Sequence, residues 1–435
     1  MSLTKTVGFF AGTTLAIGGV AFGADQTNYA AEIADLKAQI ASMKASQGDA
    51  WLTEQRAAEI RGIVTDVLAD AETRSSLQGS GAGAGYDGGF FMSSADGNYS
   101  MKVNVLQQIR WSFNDNDSPV GGAEQQSFGF ENKRTRLTFS GNMVDSSWSY
   151  KVGYYFGSSN ATAGLNGDLE DAWVSKDFGN GFAMYVGQFK LPFGGEFGTD
   201  PGNLQFTDYS VAASLLGPGY GQGVMFGYSA DMFRINGAYV NALGQANQAW
   251  TAGSPDSDWA FAARAEFKLA GNWANFNDAQ SWKGEEFSAM IGGGMSIQRD
   301  DASATTPWSG TIDATIGFGG ANLNGAFFYS DDDAGSETQG FTVSGGVFVS
   351  DDIELVARFE NLDVDNGPEL NTLTGGANWY FAKNTAKLGL ELGYAFDAIP
   401  DLSPAFGFDP ATYANWTAST DDGQWVLRGQ MSFSF

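Results

Sequence analysis

The chain has 435 residues, with 23 Lys+Arg against 50 Asp+Glu, a formal net charge of −27, and neither Cys nor His. The absence of Cys excludes disulfides, thiolate-held zinc, iron–sulfur clusters and a Cys nucleophile, and the absence of His excludes Ser-His-Asp hydrolysis and His acid–base chemistry. So acidic a chain is a poor ligand for nucleic acid, and the 59 Gly, 14% aromatic and only 17% charged residues lean toward β structure with many turns.

Residues 1–24 carry Lys5, then the apolar run Val7–Phe22, then the small residues Gly23-Ala24. This is the three-part layout of a secretory signal peptide and predicts export. Residues 25–78 read as a helical segment: Tyr29, Ile33, Leu36, Ile40 and Met43 follow a heptad stripe. After Gly48-Asp49 the residues Ile60, Val64, Val67 and Ala71 repeat it. Each stripe spans about two heptads, so the segment is either a small helical hairpin or a self-associating coiled coil. Residues 79–89, GSGAGAGYDGG, read as a flexible linker.

From Phe90 to Phe435 the pattern has period two. In Tyr99–Phe113 the apolar Met101, Val103, Val105, Ile109 and Trp111 alternate with Lys102, Asn104, Gln108 and Arg110, and the final strand does the same up to the terminal Phe435. We count sixteen such segments. Their connections alternate short, as at Val144–Ser147 and Ala382–Thr385, with long, as at Leu191–Gly219 and Asp397–Asp421. Ala270–Glu285 is the exception, too long for the short-turn rim, which predicts a missed strand or a structured turn. Aromatics at strand ends (Trp111, Trp148, Trp259, Trp379, Tyr394) suit interfacial girdles. The expected fold class is therefore all-β: a 16-stranded antiparallel transmembrane β-barrel in the bacterial outer membrane, preceded by a short N-terminal helical or coiled-coil segment. Outer-membrane lipid and lipopolysaccharide are its expected surroundings.

By the alternation, Lys102, Arg110, Arg134, Arg136, Lys151, Lys190, Arg234, Arg264, Lys268, Arg358, Lys387 and Arg428 face opposite the apolar side, which is the interior of a closed barrel. Such a lining favours anions, unless each cation pairs with an inward acid (Glu266, Asp313, Glu354, Glu360, Glu391) to brace the wall. Most other acids lie in loops, where they bias ions the opposite way or hold divalent cations. Leu191–Gly219, with Pro192, Phe193, Glu196, Asp208 and Tyr209, either enters and constricts the lumen or packs outside on its neighbours. No cofactor is expected, and no Ser-Lys or Asp-Asp motif stands in for a missing His, so no enzymatic step is expected.

Several stretches resemble the phosphate-selective porin O and P family. Lys133-Arg134-Thr135-Arg136-Leu137-Thr138-Phe139-Ser140-Gly141 is similar to its basic second strand, and Val186-Gly187-Gln188-Phe189-Lys190-Leu191-Pro192-Phe193-Gly194 to its strand-to-loop signature. Leu355–Asp363, Asn378-Trp379-Tyr380 and Asp87-Gly88-Gly89-Phe90 fit as well, so the resemblance runs from about residue 86 to 435. It implies a homotrimeric outer-membrane porin whose third loop constricts the channel and whose arginines draw small anions inward. Where that loop often carries an acidic–basic pair, this chain has Asp208-Tyr209, and no positions match a central lysine cluster. Other functions compatible with the residues are a cation-preferring or non-selective porin, and an envelope tether whose helical segment contacts the cell wall.

Overall fold

A computed structural model describes residues 34–42, 83–120, 126–157, 168–248, 257–300, 304–365, 369–399 and 415–435. The expected signal peptide and most of the expected helical segment lie outside them. The chain divides into two units, Met1–Gly81 and Ala82–Phe435. In the first, residues 34–42 are helical (α1), and the stripe residues Leu36 and Ile40 are exposed.

The second unit is all strand apart from short helical turns. Gly83–Tyr86 (β1), within the stretch read as a linker, pairs with Phe90–Ser93 (β2) around the Asp87-Gly88-Gly89 turn. Sixteen strands follow: Ser100–Asp115 (β3), Gln126–Met143 (β4), Asp145–Phe156 (β5), Asp168–Gly179 (β6), Phe182–Lys190 (β7), Tyr220–Ser229 (β8), Phe233–Val240 (β9), Ser257–Ala270 (β10), Ser288–Asp300 (β11), Trp308–Gly317 (β12), Ala321–Asp331 (β13), Glu337–Phe348 (β14), Ile353–Val364 (β15), Leu370–Tyr380 (β16), Ala386–Ala395 (β17) and Gln424–Ser434 (β18). Each pairs antiparallel with the next, and β18 pairs back onto β3 from Trp425↔Asp115 to Ser434↔Leu106, closing the ring. β2 lies on that same β3 edge, opposite Ser100–Val103, and Phe435 exchanges backbone hydrogen bonds with Val105 between the two.

The alternation divides the side chains as a membrane barrel requires. On β15, Glu354, Val356, Arg358, Glu360 and Leu362 are buried inside, while Ile353 and Leu355 are exposed outside. Phe226, Phe261, Ile291, Ile312, Leu323, Phe327 and Leu390 likewise coat the exterior. An apolar outside around a charged inside inverts a water-soluble protein and suits a hydrocarbon solvent. Paired rings mark both rims: Trp379 with Phe381 on one, Tyr394 with Phe396 and Trp425 on the other.

The long connection on the short-turn rim is a structured turn. It starts with a 3-10 turn, Trp273–Phe276, in which Asn272 and Asn275 cap each other. It then brings Trp282 against the inward-facing Phe348 and Tyr380, ring centroids 5.4 and 4.9 Å away.

Candidate functional site

The connection Leu191–Gly219, here L3, folds into the lumen. It contains two short helical turns, Gly195–Gly198 (α2) and Val211–Leu216 (α3), the latter capped by Ser210, whose hydroxyl accepts from Ala213 N–H. Glu196 staples the loop to itself, accepting from the Ser210 amide at 2.8 Å and its hydroxyl at 2.6 Å. α3 buries Val211, Ala212, Ala213 and Leu216 against inward-facing Phe328, Leu362, Leu370 and Val426, and against Trp416 of the last long loop. At its long-loop end, then, the lumen holds an apolar core. L3 can approach β11 this closely because that wall is glycine: a Cβ on Gly294 would lie 2.3 Å from Phe193 O, and one on Gly292 2.3 Å from the Arg264 guanidinium.

Between its two helical turns L3 crosses the barrel through a series of turns and bends and is held by the wall on several sides. Lys387 Nζ donates to Leu204 O at 2.5 Å, and Asn378 Nδ2 donates to Gln205 O at 2.7 Å. Glu391 accepts from the Thr207 amide and, at 2.8 Å, from its hydroxyl. Asp208 sits in a cage of cations: Arg134 at 2.5 Å, Arg110 at 3.1 Å and Lys133 at 3.2 Å, with Arg358 Nη1 donating to its backbone carbonyl at 2.9 Å. Burial alone would push the Asp208 carboxyl up; Arg134, Lys133 and Arg110 more than offset this and hold it well below the usual carboxylate range. Glu196 is pushed up, because its burial outweighs the help of Arg358 and Ser210.

The cations expected inside fall into distinct settings. Arg110, Arg134, Arg358 and Arg428 are buried; Arg110 and Arg134 serve the Asp208 cage, Arg358 pairs with Glu360 at 2.6 Å, and Arg428 with Glu391 at 3.2 Å. Arg264 holds Asp313 through both terminal nitrogens, 2.6 and 2.7 Å, and Glu266 through Nε at 2.9 Å. Arg234 pairs with the same Glu266 and lies over the Trp273 ring. Arg136 pairs with Asp200 of L3, Lys151 with Asp171 at 2.8 Å, and Lys268 with Asp231 at 3.2 Å. Among the described residues, Lys102, Lys190 and Lys387 have no carboxylate within 4 Å; Lys190 instead donates to Tyr209 OH at 3.1 Å and lies over Phe197. Pro192 and Phe193, with Glu196, Asp208 and Tyr209, are all in the inserted loop, and Phe193 and Asp208 are each 1% exposed.

Lys133 escaped the reading of alternation, as did the inward acids Glu170 and Asp171. The register of β4 on β3 jumps from Gln108↔Arg134 to Ile109↔Asn132, so Lys133 is the extra residue of a bulge and faces inward beside Arg134. β6 has a matching jump between Asp171 and Leu169, which leaves Glu170 as the extra residue. The signal in the sequence was the adjacent pair itself: two neighbouring charges on one strand can share the polar face only across a bulge.

The model of the family described as phosphate-selective porin O and P matches residues 103–343. The chain belongs to this family. It is thus an outer-membrane porin by family, and its barrel resembles solved porins in fold. The anion-selective porin from Comamonas acidovorans aligns with a TM-score of 0.53 at 12% identity, over 77% of this chain and 99% of that one. The Salmonella typhi OmpF complex with daunomycin aligns with a TM-score of 0.52 at 11% identity, over 78% and 98%. At such identities the likeness is one of fold. No curated protein matches the sequence.

Proposed function

We propose that this porin lets small hydrophilic solutes and ions diffuse passively through the part of the lumen that L3 leaves solvated, with weak charge selectivity and no chemical step. The carrying observation is the uneven exposure of the lumen charges. The side chains of Arg110, Arg358 and Arg428 are 0, 2 and 1% exposed, whereas those of Asp200, Lys151 and Arg234 are 40, 31 and 30% exposed. Most arginines therefore fasten the loop and brace the wall, and the charges that meet a solute are of both signs. Phosphate capture needs cations free to donate charge-assisted hydrogen bonds, and pairing removes most of them. A second reading, anion preference, is favoured by Lys102, Lys190 and Lys387, which lack carboxylate partners among the described residues.

The zero-current potential of the purified protein in a planar bilayer under a KCl gradient tests this. A value near zero, moving toward cation preference in Lys151→Glu, is expected. A strongly anion-selective potential with phosphate block of chloride current would support the second reading instead. Absence of conductance would leave an envelope tether as the better account, with the exposed Leu36 and Ile40 stripe of α1 as its contact. The homotrimer, the lipid and lipopolysaccharide surroundings and any cell-wall contact belong to the same proposal.

A further inference from the structure

Beneath L3, between Pro192–Phe206 of the loop and the wall formed by β9–β14, lies a cavity of about 650 Å³. We infer that it is a binding site for a neutral polyhydroxylated solute, a sugar or polyol, and this deepens the channel reading on which it rests.

Three features carry the inference. First, the guanidinium groups at the cavity are already engaged. Arg264 is shared by Asp313, Glu266 and, at 2.7 Å, Phe193 O, while Arg234 is on Glu266. The ammonium of Lys190 lies 4.1 Å from the Phe197 ring centroid and donates to Tyr209 OH. At Arg264 an incoming anion would have to displace a buried carboxylate from a two-pronged pair, and a cation would have to displace the guanidinium; a neutral solute displaces neither.

Second, part of the remaining polar lining is uncharged and available, beside the acids Glu196, Asp200, Asp208 and Asp278. The side chains of Asn236, Thr315, Thr342 and Ser344 border the cavity and make no hydrogen bond to the other described residues. The apolar Phe276 and Met290 border it as well. Hydroxyl and amide groups beside apolar patches match a solute that carries hydroxyls at its edge and C–H groups on its face.

Third, the cavity is built rather than left over. Its floor is the structured turn, and that turn is tied to L3: Ala279 N–H donates to Asn203 O at 3.1 Å, and Asn203 Nδ2 donates to Asn277 O at 3.1 Å. The volume lies within the range of about 300–1,000 Å³ usual for small-molecule sites.

The test uses the full chain purified in detergent and the double variant Thr342→Val with Ser344→Ala, which keeps side-chain size and removes two hydroxyls without a protein partner. Calorimetric titration with maltose, and separately with inorganic phosphate, is paired with single-channel recording in KCl with and without maltose. The expected result is saturable maltose binding and maltose-dependent current block. In the variant, both weaken about fivefold or more, one lost hydrogen bond being worth about that factor, at unchanged KCl conductance. No maltose binding by a conducting channel, binding undiminished in the variant, or displacement of maltose by phosphate would each overturn the inference. Maltose binding without any conductance would sustain the site while refuting the channel.

Discussion

At the residue scale the decisive group is Asp208. One carboxylate answers three cations from two adjacent strands, and all four are shielded from water. Removing a single partner from such a group strands the others. Asp208→Asn is therefore expected to cost on the order of 3–5 kcal/mol, seen as a lower unfolding midpoint. It should also raise anion permeability, since Arg110, Lys133 and Arg134 lose their counter-charge. A midpoint and selectivity equal to the parent's would mean that the cage does not fasten the loop. The pH dependence follows from the direction of the shift. Because the folded carboxyl titrates below its unfolded value, the cage stabilises fully above the ordinary carboxylate pKa of about 4 and weakens only as pH falls through the depressed value. Single-channel current levels recorded at pH 7 and pH 5 should show the same L3-fastened state, and release of the loop in that interval would contradict this assignment. The cage also changes which mutants can report on permeation. Charge reversal at Arg134 places an acid against Asp208 and acts through the loop, whereas reversal at half-exposed Lys151 acts on the solute path.

At the element scale the two insertions into the barrel, L3 from one rim and the structured turn from the other, meet through Asn203. Trp282, wedged between Phe348 and Tyr380, holds the turn in place. Trp282→Ala should remove about 3–5 kcal/mol of packing, leave the strands intact by circular dichroism, and increase single-channel conductance or open-state noise. Unaltered current would mean that the turn does not narrow the path. How much was legible in the sequence follows from the same elements. Period-two alternation located all sixteen strands, because a wall with lipid on one side and water on the other imposes two chemistries in strict turn. Alternation could not reveal where its phase slips, so the bulged Lys133 and Glu170 were missed. It also took the inward face to be uniformly polar. Near the long-loop rim that face carries Phe328, Leu362, Leu370 and Val426, apolar because they pack on α3 and Trp416 and not on water. Alternation left open whether L3 entered the barrel, which only the family resemblance implied, since many of its partners come from strands far along the chain, Lys387 among them.

At the scale of the whole molecule, a chain with net charge −27 contains a lumen in which cations and acids are paired side by side. The negative excess therefore lies elsewhere, and the field at the mouth and the field at the narrow zone are set by different residues. The family match, the closed ring and the apolar exterior agree on one object, an outer-membrane porin whose loop is built into its wall. Closure itself is open to test. Removing Trp425–Phe435 deletes the partner of Leu106–Asp115 and should abolish the heat-modifiable folded band on a gel. A truncated chain that still migrates as a folded barrel would refute the pairing of β18 with β3.

The shared edge of β3 also has a consequence in time. Its first residues can be satisfied at once by β2, a neighbour about ten positions away, whereas the rest must wait for a strand more than three hundred residues downstream. Loop-closure entropy and contact order both make such a distant pairing slow. The hairpin thus covers the near end of the seam early, leaving the remainder open until β18 has been made. Phe435 then fills the remaining gap, so the ring can be sealed only once Trp425–Phe435 have been made.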